Sequence, residues 1–589
     1  MNREWRMKVT STDVESLADG ADISKILSKI LATRGITSVD EAKKFLRANL
    51  NDMHDPYLMK DMDLGTDIIL DAIDEGKKII VYGDYDADGI TSTTILYKAL
   101  KKLDANVDYY IPDRESEGYG MSSNRIKTLK ENGTEVILTC DNGISAIEEI
   151  ELAKSLDISI VVTDHHEQRF IENEDGTREY IKPVADAIIN PKQYDCNYPF
   201  SYLCGAGIAL KFVQVLFDKL GLEEQELKEF IEIAGIGTIC DVVDLIGENR
   251  IIAKNGIEYI NKTSNIGLLA LIDVLGLKEK RIKSYHIGFM IGPCINATGR
   301  LDTANLSVEL LLANNHDKAY ELAKKLFDLN KKRQEMTQTN VEAIIEQIEE
   351  NKMSNDKVLV VYKKDVHESI AGIVAGKVRE KYNIPTIILT GGKEMPKGSG
   401  RSIEEYNMFE ELLKCKDLLV KFGGHPMAAG LSLEEKNIDI LRKKLLENCT
   451  LTEKDLMYKV KIDKRIHLRE VSFDLIKNLE ILEPHGKANP NPVFAEKNVI
   501  VTAIRILGKK QNTMKLTLKV DEKNLIDAIS FNRVDEFKDL LEKKYGENYG
   551  NQLFNPTNLK LDLVFAVGVN EFKGNTKKQL KIIDFRLSA

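Results

Sequence analysis

The sequence predicts an α/β fold: a parallel-sheet domain joined by a long helix to a second α/β domain, followed by an antiparallel β-barrel. Three observations carry this. Between about residues 78 and 245 short apolar runs alternate with helical patterns, as parallel βαβ units require. Residues 316–353 are charged, with Leu322, Leu326, Leu329, Val341, Ile344, Ile345 and Ile348 at helical spacing. Residues 455–589 contain several strand-like runs of alternating apolar and polar residues.

The elements follow in order. Residues 1–70 read as a mostly helical lead-in to the first domain, with polar turns around Asn49–Pro56. Candidate strands of the first domain, 71–315, are 78–83, 106–111, 135–140, 159–163 and 186–189, and helices are expected after Gly89, Ser122, Ser145, Gly205 and Glu224. Residues 316–353 form either a connecting helix or a surface helix of the first domain. A second α/β module, 354–454, opens at Lys357-Val-Leu-Val-Val-Tyr. It carries two glycine-rich stretches, Lys397-Gly-Ser-Gly-Arg-Ser402 and Phe422-Gly-Gly-His-Pro-Met-Ala-Ala-Gly430. Ser399, Arg401, Gly424 and His425 there suit a phosphate cradle of backbone N–H groups, a hydroxyl and a guanidinium.

Chemistry concentrates at strand ends. Ile79-Ile-Val-Tyr runs into Asp84, Asp86 and Asp88; Val136-Ile-Leu-Thr-Cys delivers Asp141; Ile160-Val-Val-Thr delivers Asp164, His165 and His166. Gly235-Ile-Gly-Thr-Ile-Cys leads to Asp241. Taken singly, each aspartate is an ordinary helix cap or turn residue and the histidines are ordinary surface residues. Together, in this order, they form an oxygen-and-imidazole set suited to Mn²⁺ or Mg²⁺. Two such ions would need a bridging carboxylate, for which Asp141 is the best candidate.

Asp86-Ala-Asp88, Asp141-Asn-Gly, Asp164-His-His and Cys240-Asp241 resemble the four motifs of the DHH phosphoesterase superfamily, and within it those of the bacterial single-strand-specific exonucleases. The resemblance runs from Leu31-Ala-Thr-Arg-Gly-Ile to the C-terminal region. It implies Asp86, Asp88, Asp141, His165 and Asp241 as ligands of two Mn²⁺ or Mg²⁺ ions. His166 is placed at the reacting phosphate or the metal edge, with Asp84 and Asp164 behind the ligands. It also implies that 354–454 is a DHHA1 domain, that 455–589 is an OB-fold, and that Arg114, Asn296 and Arg300 contact substrate. The implied activity is 5′-to-3′ hydrolysis of single-stranded DNA to mononucleotides in repair and recombination. The implied partners are a helicase and a single-strand-binding protein, and the chain is expected to act as a monomer. Where some members carry a histidine, this chain has Tyr82. Rival readings are a phosphodiesterase of oligoribonucleotides or cyclic dinucleotides, and a DNA-binding scaffold without catalysis. Phe531 and Phe572 are candidates for base stacking or for the barrel core. The rigid Pro484–Pro492 loop has no role legible in its chemistry.

Composition bounds these readings. The chain has 589 residues and a net charge of −10. Residues 457–589 hold 24 Lys and Arg against 17 Asp and Glu, so the body is acidic and the tail basic. That asymmetry fits polyanion capture beside a cation-loaded centre. No apolar run approaches the ~18–20 residues of a membrane span. Met1-Asn-Arg-Glu-Trp-Arg lacks a signal peptide's apolar stretch, and seven scattered cysteines form no CxxC pair. A reducing cytoplasm and no membrane attachment are expected.

Overall fold

The computed structural model describes residues 3–173, 177–572 and 574–588. It resolves into two units: Met53–Val243 with Ile252–Tyr458, and Arg3–Asp52 with Asp244–Ile251 and Lys459–Ala589.

In the first unit, the strands Val107–Tyr110, Ile79–Tyr82, Val136–Cys140, Ser159–Thr163 and Ala187–Ile189 form a five-stranded parallel sheet in that spatial order. The inner strands are buried end to end, which is why they read as unbroken apolar runs. Chain order reverses between Ile79–Tyr82 and Val136–Cys140. Ligands of such sheets bind beyond the carboxyl ends of the strands at this reversal. The strand Ile79–Tyr82 feeds the helix Ala87–Lys102 through a turn so tight that a Cβ on Gly89 would lie 2.5 Å from the Asp84 carbonyl oxygen.

The helix His316–Glu350 is a connector by its packing. Leu322, Ala323 and Leu326 belong to one core with Ile287, Ile295 and Leu310, while Val341, Ile344 and Ile348 belong to another with Leu359, Val374 and Ile388. One continuous helix therefore fixes the two domains of this unit to each other. The second domain's sheet runs Lys421–His425, Ala428–Ser432, Lys397–Arg401, Thr386–Thr390, Leu359–Tyr362, parallel only between the last two.

The second unit is a closed barrel. Phe494–Leu507, Thr513–Lys519, Leu525–Phe531, Asn575–Leu587 and Lys560–Phe572 pair in a ring, antiparallel except for Leu525–Phe531 against Asn575–Leu587. Phe531 is half-exposed and so is no core residue; the side chain of Phe572 lies outside the described residues.

One expectation is corrected here. Residues 3–52 do not join the parallel-sheet domain. Leu27, Ile30 and Leu31, on the buried face of the helix Lys25–Ala32, share a core with Leu516, Phe565 and Leu580 of the barrel. Periodicity shows that this helix has an apolar face, but not which distant segment covers it.

The Pro484–Pro492 loop also acquires a role. Arg34 reaches Asn489 Oδ1 and donates to the Pro490 carbonyl at 2.6 Å. The fully buried Arg250 donates to the carbonyls of Phe45, Leu482, Ile481 and Glu483 at 2.7, 2.9, 3.2 and 3.0 Å, its guanidinium 3.9 Å from the Phe45 ring centroid. Burial, then the nearby charge of Arg34, lowers its pKa to about 9. The loop and the residues just before it are thus the acceptor shell for two arginines that join three separated stretches of the unit. Arg250→Met removes the four hydrogen bonds donated to those carbonyls and should destabilise the unit by roughly 3–5 kcal/mol. Urea denaturation checks this, and an unchanged midpoint would refute the assignment.

Candidate metal centre

The predicted acids and histidines converge at the point of strand reversal. Three groups have ligand atoms within 4.8 Å of one another: Asp84, Asp86 and Asp141; Asp141, His165 and His166; Asp88, His165 and Asp241. Asp141 and His165 are each shared by two groups. His165 Nε2 lies 3.0 Å from Asp141 Oδ1, 3.7 Å from Asp88 Oδ2 and 3.9 Å from Asp241 Oδ2. Asp141 is held in the left-handed region at φ 61°, which directs its side chain away from the strand's own alternation. Asp241 ends the helix Lys228–Cys240.

The electrostatics call for cations. Burial first, and then neighbouring carboxylates, raise Asp84, Asp141 and Asp241, and take Asp88 up to about 6. Asp84 Oδ1 and Asp141 Oδ1 are buried without a hydrogen-bond donor; the close approach of His165 Nε2 lies outside hydrogen-bond geometry. Burial, followed by the charge of His166, pushes His165 down to about 3, so its lone pair is available. Buried oxygens lacking donors, beside a neutral imidazole, fit divalent ions that accept oxygen and nitrogen ligands.

The surrounding residues divide the remaining work. Asp164 accepts from the backbone N–H groups of Ile144, His165 and His166 and bonds His166 Nδ1 at 2.8 Å. Burial alone would raise Asp164, but His166 holds it down to about 2. Burial would lower His166, but Asp164 takes it up to about 9. Asp164 thus favours the protonated form of His166, whose Nδ1 lies 3.9 Å from Asp141 Oδ1. Asp86 Oδ1 caps the helix Ala87–Lys102 through the N–H groups of Asp88 and Gly89. Asp84, expected behind the ligands, has a carboxylate oxygen within 4.8 Å of those of Asp86 and Asp141.

Residues not singled out by the sequence reading complete the centre. The Gly205 and Ala206 N–H groups, at the start of the helix Gly205–Lys219, donate to the two Asp88 oxygens at 2.6 and 2.8 Å. A Cβ on Gly205 would lie 2.8 Å from Asp141 Cβ, so only glycine permits this approach. The Tyr119 hydroxyl donates to the Asp141 carbonyl at 3.0 Å and lies 3.1 Å from His166 Nδ1. The Gly205-Ala-Gly run before an apolar helix was a readable signal for the first contact; nothing in the local sequence marks the second. Tyr82 is not a substitute ligand. Its ring is buried against Tyr110, with Met121 and Ile126 in the same core, and its hydroxyl donates towards the Gly120 carbonyl.

A cavity of about 890 Å³ opens between the two domains of this unit. Tyr85, Arg114, Tyr119, Arg300, Ser399 and Arg401 line it. Arg300 Nη1 donates to the Ser369 carbonyl at 2.6 Å, and Arg401 Nη1 donates to Ser399 Oγ at 3.1 Å. Burial, then the charge of Arg114, lowers both Arg300, to about 10, and Arg401. The cavity thus brings three guanidiniums together, on a lining that also holds Glu115, Glu117 and Glu368. Two predicted substrate residues are placed otherwise. Gly424 and His425 do not line this cavity: they occupy the turn end of the Lys421–His425 hairpin, with His425 exposed and opposite Ala428. The hairpin contributes Phe422, Gly423 and Gly430 instead. Asn296 Oδ1 accepts the Ala87 N–H at 2.9 Å, so it braces the aspartate turn. Among the described residues, no helix is long and apolar enough to cross a membrane.

Comparison with known proteins agrees with this geometry. Residues 78–238 match the DHH family, N-terminal domain; 355–450 match the DHHA1 domain; 462–584 match the RecJ OB domain. The single-stranded-DNA-specific exonuclease RecJ of Bacillus subtilis (strain 168) is 35% identical over 99% of this chain and 71% of its own length. That of Escherichia coli (strain K12) is 31% identical over 98% of this chain and 99% of its own. A solved exonuclease RecJ bound to manganese is 30% identical, with a TM-score of 0.56, over 66% of this chain and 94% of that one. RecJ from Thermus thermophilus in complex with Mn²⁺ shares the fold at a TM-score of 0.80 and 24% identity, over 100% of this chain and 80% of that one. With three domain matches in order and full-length identity above 30% to two of its members, the chain belongs to the RecJ family of DHH proteins.

Proposed function

We propose that this protein is a divalent-metal-dependent exonuclease that degrades single-stranded DNA from its 5′ end to 5′-mononucleotides in repair and recombination. One observation carries the reading: a donor-poor cluster of carboxylates and a neutral imidazole adjoins a cavity lined by arginines. Two Mn²⁺ or Mg²⁺ ions, when bound, would supply Lewis acidity that lowers the pKa of water and neutralises phosphate charge. Asp84, Asp86, Asp88, Asp141, His165 and Asp241 would hold them, with Asp141 in the shared position.

The chain's own residues do the rest. The His166 imidazolium, fixed by Asp164 and Tyr119, places a positive donor where charge builds on the phosphate. Arg114, Arg300, Ser399 and Arg401 grip a terminal 5′ phosphate, so cleavage starts at an end. The closed barrel is the single-strand-binding module, 459–589 with the helices of 3–52 against it, and 355–450 is the substrate-binding domain. A helicase that unwinds duplex ends and a single-strand-binding protein would supply substrate to a monomer. Seven cysteines without a disulfide fit a reducing cytoplasm.

Asp141→Ala should abolish hydrolysis of a 5′-phosphorylated oligonucleotide while retaining strand binding. Release of label from the 5′ but not the 3′ end by the unaltered enzyme checks polarity, and residual turnover in the variant would refute the bridging role. Arg401→Ala should raise KM for 5′-phosphorylated strands by about 10–100-fold, the loss of one or two charged hydrogen bonds, and have little effect on 5′-hydroxyl strands. Raised carboxylate pKa values mean that protons compete with the metal. Mn²⁺ affinity should therefore fall as pH drops through about 6, where Asp88 takes up its proton, and binding there should release protons. Calorimetry in buffers of different ionisation enthalpy reads this directly; affinity independent of pH would contradict it.

A further inference from the structure

An aromatic surface on the catalytic domain remains unused by this account. The strands Arg169–Glu172 and Arg178–Ile181 form an antiparallel ribbon that begins just beyond His166. Phe170 and Tyr180 pair across it, ring centroids 6.0 Å apart and edge to face. Tyr194, from the loop that follows the sheet's last strand, stacks on Tyr180 with centroids 5.1 Å apart and planes 9° from parallel. The Arg178 guanidinium lies over Phe170, 4.3 Å from its centroid. The three rings are 43, 38 and 60% exposed. A single exposed ring is ordinary; three in a row, Phe170 and Tyr194 each against Tyr180 and a guanidinium over Phe170, form a π-surface.

This ribbon is continuous with the metal centre. The buried Gln168 side chain donates to the Ile181 carbonyl and accepts from the Tyr194 N–H, both at 3.4 Å. Asn190 Nδ2 donates to the His166 carbonyl at 2.9 Å, and its Oδ1 accepts from the Lys192 N–H at 2.8 Å. Lys192, two residues before Tyr194, is close enough for its charge to act on both His165 and Asp241. One short segment therefore connects the catalytic histidines to the outermost ring.

We propose that Phe170, Tyr180, Tyr194 and Arg178 form a base-stacking platform for the nucleic-acid strand beside the metal centre. The proposal rests on the nuclease reading above. Planar faces backed by a guanidinium match nucleobases better than the aliphatic surface of a protein partner, and a stacked base contributes about 1–3 kcal/mol regardless of sequence. The platform would hold the strand in place between successive cleavages, which a dinucleotide is too short to exploit.

The test compares the full chain with its Tyr180→Ala/Tyr194→Ala and Tyr180→Phe/Tyr194→Phe variants in Mn²⁺. The substrates are a 5′-phosphorylated 20-mer and a 5′-phosphorylated dinucleotide. The alanine variant should show about a tenfold higher KM on the 20-mer, with kcat and all dinucleotide parameters unchanged. The phenylalanine variant should match the unaltered chain. Quenching of 2-aminopurine placed along the 20-mer, read with Ca²⁺ in place of Mn²⁺, should weaken at defined positions in the alanine variant alone. Unchanged KM and quenching would overturn the platform and leave the nuclease reading intact, as would equal losses on both substrates, which signal damage to the centre. If the unaltered chain cleaves neither substrate yet position-specific quenching is lost on substitution, the platform stands and the nuclease reading fails.

Discussion

Repulsion among crowded carboxylates governs this molecule. Asp84, Asp86, Asp88, Asp141 and Asp241 meet where the strand order reverses, and most are buried. Two unit charges 4 Å apart repel by about 4 kcal/mol at the effective dielectric of a protein site. The protein relieves part of this itself. The Gly205–Lys219 helix directs two N–H groups at Asp88, and Asp86 caps the Ala87–Lys102 helix. Asp84 and Asp141 retain buried oxygens with no donor. Divalent ions bound there would complete what the backbone leaves undone.

The remaining architecture serves that point. A strand reversal leaves a crevice between Ile79–Tyr82 and Val136–Cys140, and both strands unload their acids into it. Facing it, burial and then the charge of Arg114 depress the pKa values of Arg300 and Arg401, the mirror image of the carboxylate problem. A polyanion would relieve both, its phosphates meeting bound ions on one side and the guanidiniums on the other. The helix His316–Glu350, anchored in two cores, holds these surfaces at a fixed separation.

Much of this was legible in the chain because three of the sheet's strands are apolar runs that stop at acids, Asp84, Asp141 and Asp164. Asp84, Asp86, Asp88, Asp141, Asp164, His165, His166 and Asp241 could be grouped by position once these strand ends and the helix end at Asp241 were seen together. The narrower set of Asp86, Asp88, Asp141, His165 and Asp241 came from the resemblance to DHH proteins. Contacts made across the fold were not legible. Nothing near Tyr119 announces its bond to the Asp141 carbonyl, and nothing near Asn296 announces that its oxygen accepts the Ala87 N–H. His425 sits in a glycine-rich stretch, but a hairpin carries alternate stretches to opposite ends, and it fell at the turn. The Lys25–Ala32 helix advertised an apolar face, while its cover lay hundreds of residues away in the barrel. Tyr82 drew notice as a missing ligand, yet strand alternation turns it into the core.

The most direct test of this account is electron paramagnetic resonance of the protein titrated with Mn²⁺. Two ions about 3.5–4 Å apart, sharing Asp141, should give the multiline spectrum of a spin-coupled pair. A spectrum of isolated ions at every loading, or no bound manganese, would contradict a two-ion centre at this reversal of the sheet.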